Sequence, residues 1–537
     1  MKFWRFGEMI LCAAAFALAH TQSPLYYSNQ NQYFLHGAAQ AGYGHLANDW
    51  LANTRDPTPV FSWLVAAIYR YDPWGLQPAY FGLLMVYFGA AWALALAVPG
   101  FVPTRSARWA FAAVFTLTHA AIVRVASIQL TSVDYPWYGQ AGLAAQYMLG
   151  PGIQPSAFGV LLLVAVAVYA RGGSPVVAAA IAAAACVFHA TYLLPAALLI
   201  SGFLIASWLA TRDVRLIAGM AAAASLFGSV GCVNALHVLH SPGADAAEAL
   251  RILVEVRIPH HCVVSRWFDA IAAWQIVWMG IGGYFLRRQP LGWALCIAAS
   301  GGLLLTGLQL ATGSYALALA FPWRISVLLV PVATIVVAAQ LAARWPRGGG
   351  GDAVAATLLL ALALSGVVVM LLGWGYQMAA DEEPLYAYLR QTAGPQDVYL
   401  VPVSFPKVGS GRGAVSNTFR PPPRAEPGTN QIPVDLQRFR LASGACLYVD
   451  FKSIPYSAAE VLEWYRRMQF ASSLTTTDRW HSPGIVAELK REGITHVVWP
   501  RSKPLVVDGL ELMYIDAAYA VYRVNGAVER TAVRSGS

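Results

Sequence analysis

Long apolar runs recur from residue 9 to residue 375, and they constrain the fold more than any other feature of the chain. A transmembrane helix needs about 20 mostly apolar residues to cross a bilayer. Charged residues make up only 12% of the chain, which is about half the share usual in soluble proteins. The pattern predicts an α-helical polytopic membrane protein with about eleven transmembrane helices. These spans are predicted near residues 6–26, 77–100, 108–125, 156–171, 174–190, 192–210, 215–236, 270–286, 291–312, 325–343 and 353–375.

The first apolar run permits two interpretations. MKFWRFGEMILCAAAFALAH has a basic start, a short apolar core and Ala-Leu-Ala at 17–19, as in a cleavable signal peptide. We favour an uncleaved first span and keep the cleaved form as the alternative. Both interpretations place residues 28–57 on the same outer face.

The charges of the loops predict the orientation of the chain. Short loops rich in basic residues mark the cytoplasmic side, so we expect a cytoplasmic N-terminus and a protein of the bacterial cytoplasmic (inner) membrane. The same bias explains the net charge of +9 without a nucleic-acid partner. The loops on the predicted cytoplasmic side contain Lys2, Arg5, Arg105, Arg108, Arg171, Arg212, Arg215, Arg287, Arg288, Arg344 and Arg347. The predicted outer layer comprises loops 28–76, 126–155, 237–269 and 313–324, with a helix along the surface near 57–73, and the C-terminal part 376–537.

The C-terminal part, residues 376–537, is predicted to be an extracytoplasmic α/β domain. DVYLVPV, ACLYVDF and THVVWP are β-branched or aromatic runs bounded by turn residues, which predicts strands. SAAEVLEWYRRM and GIVAELKREG predict helices between them. The Pro-rich run at 419–433 predicts an irregular loop.

Two acids lie in the first outer loop, within GHLANDWLANTRDPTPVFSW at 44–63. We predict a helix over 34–52 with Asp49 near its end and Asp56 on the following turn. A carboxylate at a membrane rim can act as a general base toward a sugar hydroxyl, or can help to hold a divalent cation. In the alternative interpretation Asp56 caps the next helix and pairs with Arg55, and Asp49 is solvated.

Basic and aromatic side chains gather in the later outer loops. Arginine and histidine are donors suited to phosphate oxygens, and aromatic rings stack on sugars. The alternatives are snorkelling arginines, an aromatic belt at the membrane interface and a core histidine bonded to backbone. His-His without a third ligand is a weak metal signal. The candidate binding residues from these loops are Arg257, His260, His261, Arg266, Arg324, Asp134, Trp137 and Arg124.

This layout resembles the GT-C superfamily of membrane glycosyltransferases, which have a catalytic acid in a long first outer loop. The resemblance implies that Asp49 in Asn-Asp-Trp is the catalytic residue, with Asp56 as the second candidate. The loop lacks a clear Asp-x-Asp or Glu-x-Asp, so dependence on Mg²⁺ or Mn²⁺ stays open.

SNQNQYFLHG at 28–37, RIPHH at 257–261 and VDFKSIPY at 449–456 also resemble a bacterial membrane family catalogued as a domain of unknown function. That resemblance makes Asp450 and Lys452 candidates for a phosphate-facing or acceptor-facing edge of the tail. A salt-bridged strand end is the alternative.

Together these features predict transfer of a sugar from a polyprenyl-phosphate carrier, at the outer face of the membrane, to a glycan, lipid or protein acceptor. A transporter or lipid flippase is the alternative; such proteins place polar sites near the bilayer midplane and often show repeats. An assembly protein anchored by its spans is a third class.

Overall fold

The computed structural model describes residues 2–239, 244–376, 378–406, 436–476 and 478–526. Within these ranges the chain is mostly helical, and its C-terminal part contains one five-stranded sheet. The Pro-rich run predicted as a loop at 419–433 lies outside the described residues.

Among the described residues, six helices are long and apolar enough to cross a membrane, or seven if one bent pair forms a single span. This confirms a multi-pass helical membrane protein. The six helices are Pro73–Ala95, Ala190–Thr211, Val214–His237, Pro290–Thr312, Tyr315–Ala343 and Gly349–Leu371.

Five further apolar helices are shorter, at 10–17 residues each. Four of them lie at predicted spans, and Pro59–Tyr69 lies at the predicted surface helix. A helix of 15 residues rises only about 22 Å, less than the roughly 30 Å of a hydrocarbon core. Among the described residues, length and composition therefore support six or seven candidate spans, and shorter apolar helices lie at the other predicted spans. The remaining four short helices are Phe6–His20, Pro155–Ala170, Pro175–Phe188 and Ala270–Leu286.

The span predicted at 108–125 is a bent pair instead of one straight helix. Helices Arg105–Leu117 and Ala121–Thr131 meet at 45°. At the break, the side-chain amide of Gln140 donates to the Thr118 carbonyl at 2.7 Å. In an unbroken helix that carbonyl would accept from the N–H four residues later, so a side chain from the next loop satisfies the backbone at the bend.

The helix predicted over 34–52 is much shorter than expected. It ends at Gln40 and is followed by turns and two short 3-10 helices, Leu46–Asn48 and Leu51–Asn53. Gly42 and Gly44 adopt φ of +76° and +55°, a left-handed conformation that terminates helices. Asp49 consequently follows the 3-10 helix Leu46–Asn48 in an extended conformation, instead of lying near the end of a long α-helix.

The sheet contains strands β1 (Val398–Leu400), β2 (Cys446–Leu447), β3 (His496–Pro500), β4 (Leu510–Ile515) and β5 (Tyr519–Val524) in the order β2-β1-β3-β5-β4. β1 pairs in parallel with β2 and β3, and β5 pairs antiparallel with β3 and β4. This confirms the three predicted strands and adds a C-terminal hairpin. The helices of this part are Glu383–Thr392, Phe439–Ser443, Ala458–Thr476 and Ile485–Arg491.

Short elements connect the membrane helices to this sheet. They are Gln30–Tyr33, Leu35–Gln40, Ala244–Arg251, the π-helical turn Ile252–Arg257, Pro259–Cys262, Val264–Trp267 and Tyr315–Leu319. Residues of the turn Ile252–Arg257 belong to the same hydrophobic core as the sheet. The loop between two membrane helices is therefore packed into the C-terminal part.

Candidate functional site

Asp49 is fully buried at the contact between the first loop and the C-terminal part. Its Oδ2 accepts from Arg440 Nε at 2.8 Å and from the Leu447 N–H at 2.8 Å. Its Oδ1 accepts from the N–H groups of Leu51 at 2.9 Å and Ala52 at 3.4 Å. The solvated alternative for Asp49 is wrong, and each of its carboxylate oxygens already accepts two hydrogen bonds.

Asp56 keeps one carboxylate oxygen available. Oδ1 accepts from the Thr58 N–H at 2.8 Å at the start of helix Pro59–Tyr69, whereas Oδ2 is buried without a hydrogen-bond partner among the described residues. The predicted pair with Arg55 is not formed, because the Arg55 guanidinium donates to the His237 carbonyl at 2.7 Å. A buried carboxylate oxygen that accepts no hydrogen bond costs free energy, unless a ligand or water donates one to it.

A narrow cleft is lined by Arg55, Pro57 and Thr58, which surround Asp56 in the sequence, whereas Asp56 itself does not line it. The walls of the cleft also include Tyr33, Ile454 and Pro455. Thr58 is 2% exposed, and its hydroxyl has no partner in the described part of the chain. The cleft thus lies between the first loop and the turn that follows β2.

Arg257 and Lys452 meet at the other end of that turn. The Arg257 guanidinium donates to the Lys452 carbonyl and lies 5.3 Å from the centre of the Phe451 ring. Arg257 is 6% exposed, and its Nε atom lacks a partner among the described residues. The π-helical turn Ile252–Arg257 ends at this arginine, and such turns recur at functional sites.

His260 and His261 lie next to this pair, on the short helix Pro259–Cys262. Their rings are 4.1 Å apart, and His261 Nδ1 lies 2.6 Å from the Ala144 carbonyl oxygen. Both rings interact electrostatically with Arg257 and Lys452.

Arg324 approaches from a membrane helix. It is 8% exposed, lies 5.0 Å from the centre of the Tyr192 ring and interacts electrostatically with His261. Its Nε atom is another buried donor without a partner in the described ranges. Tyr33 interacts with Arg324 as well, so one side chain connects the cleft with this arginine.

These five side chains form what we call the cationic cluster: Arg257, His260, His261, Arg324 and Lys452. Burial and the charge of Arg257 lower the pKa of Lys452 to about 7, although Asp450 acts in the opposite direction. Burial, with the neighbouring positive charges, lowers the pKa of both histidines, that of His261 to about 4. At neutral pH the cluster therefore combines two arginines, a partly protonated lysine and two neutral imidazoles.

Sequence reasoning selected these five residues and missed the polar groups around them. Gln32 was missed although it donates to the Tyr456 hydroxyl at 3.0 Å and the Ile454 carbonyl at 3.3 Å. Gln146 is 3% exposed, and neither atom of its amide has a partner among the described residues. Gln32 lies within SNQNQYFLHG, and the family resemblance of that stretch is the signal that could have found it. Gln146 lies in the predicted outer loop 126–155 and gave no comparable signal.

The other candidate residues lie outside the cluster. Arg124 forms a buried ion pair with Asp134 at 2.7 Å and lies 4.5 Å from the centre of the Trp137 ring. Arg266 is half-buried on the short helix Val264–Trp267. The sequence-based set therefore divides into a cationic cluster, a separate buried ion pair and a peripheral arginine.

Among the described residues no group of three or more His, Cys, Asp or Glu side chains has the geometry to hold a metal ion.

A family model described as a domain of unknown function (DUF6798) matches residues 429–471. The described portion of this match contains Arg440, Asp450 and Lys452. No curated protein is similar enough to the chain to count as a match.

Proposed function

We propose that the protein transfers a sugar from a polyprenyl-phosphate carrier to an acceptor hydroxyl at a surface of the membrane. The observation that carries the proposal is the cationic cluster, which lies where membrane helices end and the C-terminal part begins. Burying positive side chains and unpaired hydrogen-bond donors costs free energy unless an anion compensates their charge. We therefore interpret the cluster as a binding site for an anion.

The arginines suit the phosphate of such a carrier. Arg257 and Arg324 each have an unpartnered buried Nε in the described part of the chain. Guanidinium groups bind phosphate through charge-assisted hydrogen bonds that are stronger than neutral ones. Since Arg324 belongs to the candidate span Tyr315–Ala343, a phosphate there could keep its prenyl chain in lipid.

We assign the acceptor to the part of the first loop that carries Asp56, next to the cleft lined by Arg55 and Pro57. In the proposed step an acceptor hydroxyl oxygen bonds to the anomeric carbon while the bond from that carbon to the phosphate oxygen breaks. The hydroxyl proton passes to the Asp56 carboxylate, and the bonding electron pair leaves with the phosphate. Arg257 and Arg324 stabilise the charge that grows on this leaving group, a type of effect worth about 3 kcal/mol per donor in other enzymes.

Asp49 has a supporting role in this proposal. Its two carboxylate oxygens already accept four hydrogen bonds, so neither oxygen is left to meet an acceptor hydroxyl. We thus assign the role of general base to Asp56. Asp49 holds the first loop against the C-terminal part.

A binding experiment tests the carrier. The full-length protein in lipid nanodiscs is titrated with undecaprenyl phosphate, with undecaprenol and with phosphatidylglycerol. We expect tightest binding of undecaprenyl phosphate and loss of that preference in Arg257→Met/Arg324→Met, but not in Arg266→Met. Equal affinity for undecaprenyl phosphate and undecaprenol would overturn the proposal.

A second experiment tests the transfer. Nanodiscs are supplied with a panel of undecaprenyl-phosphate sugars and a membrane extract as the source of acceptor. Sugar loss should occur with the wild type and fall by about two orders of magnitude or more in Asp56→Asn, as for removal of a general base. Carrier binding without any sugar loss, together with movement of the carrier between leaflets, would support the flippase alternative instead.

A further inference from the structure

Arg440 makes three buried contacts, and the one with Asp49 joins the C-terminal part to the first loop. On the short helix Phe439–Ser443, its Nε donates to Asp49 at 2.8 Å and one terminal nitrogen donates to the Asp450 carboxylate. The other terminal nitrogen donates to the Leu447 carbonyl at 3.1 Å. Although burial opposes the charge, the two acids hold the pKa of Arg440 above its ordinary value.

Asp450 links Arg440 to the turn that carries Lys452. The carboxylate oxygen that does not contact Arg440, Oδ1, accepts from the Ser453 N–H at 2.6 Å. The backbone carbonyl of Asp450 accepts from the Trp464 indole at 3.0 Å. Lys452 lies inside this turn, and its carbonyl accepts from Arg257. A continuous set of hydrogen bonds therefore runs from Asp49 to the cationic cluster.

We infer that Arg440 is a positioning residue for anion binding: it holds the turn 450–453 against the first loop so that Lys452 and Arg257 face the same anion. This inference rests on the phosphate site of the proposed function. Arg440 itself is 4% exposed and bonded on all sides, so it acts through Asp450 and not by touching the ligand.

Arg440 also decides how Asp450 acts on Lys452. Asp450 forms an ion pair with Arg440. Without the arginine this carboxylate loses that partner, and we expect its charge to act more strongly on Lys452 and to oppose the bound anion. The two effects add, because a displaced turn and a competing carboxylate both weaken anion binding.

The test uses full-length protein in detergent and inorganic pyrophosphate as the probe, with affinity measured from pH 6 to pH 9. Arg440→Met should lower the affinity at pH 7 about tenfold and move the pH midpoint up by about one unit, since an unpaired carboxylate nearby favours the protonated lysine. Asp450→Asn keeps an acceptor for Ser453 but removes the charge, so its midpoint should move down. Arg440→Lys should give an intermediate affinity.

Opposite shifts in Arg440→Met and Asp450→Asn support the inference, because general loosening of the fold would change both variants alike. Unchanged affinity and midpoint in either variant would overturn it; if Arg440→Met fails to fold, Arg440→Lys and Asp450→Asn decide. Because the probe has no prenyl chain, the inference can hold even if the nanodisc titration rejects the polyprenyl carrier. Conversely, prenyl-phosphate selectivity with no role for Arg440 would leave the proposed function standing.

Discussion

The Arg257 guanidinium binds the main-chain carbonyl of Lys452, a residue 195 positions later in the chain. This contact attaches the loop between two membrane helices to the turn after β2. It brings two of the stretches singled out in the sequence, RIPHH and VDFKSIPY, to one place. The third, SNQNQYFLHG, reaches the same turn through Gln32.

Removing the Arg257 charge should weaken anion binding. Hydrogen bonds to charged groups contribute about 1.5–3 kcal/mol, so Arg257→Met should lower the affinity for inorganic pyrophosphate about tenfold or more. Isothermal titration of the detergent-solubilised protein measures this. Arg266→Met removes the same charge from the neighbouring short helix and is the matched control. Equal losses in the two variants would indicate a general effect of charge instead of a site.

Anion binding should weaken as the pH rises above about 7. Burial lowers the pKa of Lys452 to about 7, and Arg257 and the two histidines of the cluster face it together with Asp450. A bound anion favours the protonated lysine, so binding above that pH takes up a proton. By linkage the affinity then falls by up to about tenfold per pH unit.

Lys452→Met should flatten this pH dependence between pH 7 and pH 9, with a lower affinity at pH 7. The two histidines contribute little in that window because their pKa values lie lower. A profile that stays steep in Lys452→Met would assign the titration to another group.

The ion pair of Asp49 with Arg440 should support the fold. Breaking one partner of a buried pair costs about 3–5 kcal/mol, and Asp49 is wholly buried. We therefore expect Asp49→Asn to lower the thermal midpoint markedly. The exposed Asp508 provides the control, since Asp508→Asn should change little. An unchanged midpoint with lost sugar transfer would instead return the catalytic role to Asp49.

The sequence predicted the membrane part well where long apolar runs decide the structure. Hydropathy cannot measure how long each helix remains straight, so the bend at Thr118 was not foreseen. In the C-terminal part the three predicted strands have buried centres, whereas β4 is largely exposed and gave a weaker pattern.

The five residues of the cationic cluster were among the sequence candidates, but so were four residues that lie outside it, and the buried position of Asp49 was not predicted. The four are Arg266, Arg124, Asp134 and Trp137. An Arg–Asp pair separated by 391 residues leaves no local signal in one sequence. The same limit applies to Asp56, whose free oxygen depends on Arg55 turning to His237. Residue types in the sequence indicated which side chains could bind an anion or accept a proton. Which of them already have partners depends on tertiary contacts.

The close contact of Gly44 with Gly444, between the first loop and the C-terminal part, should be sensitive to a single methyl group. A Cβ at Gly44 would lie 2.5 Å from the Gly444 carbonyl oxygen, and the next residue, His45, donates its N–H to that same oxygen at 2.7 Å. Gly42 shares the left-handed backbone, at φ +76°, but a Cβ there would meet nothing within 4 Å. Gly42→Ala should therefore cost only the backbone strain of about 1–2 kcal/mol, while Gly44→Ala adds a backbone clash and should lower both the thermal midpoint and pyrophosphate affinity further. Equal thermal midpoints for the two variants would show that the loop and the C-terminal part are not packed as tightly as this contact requires.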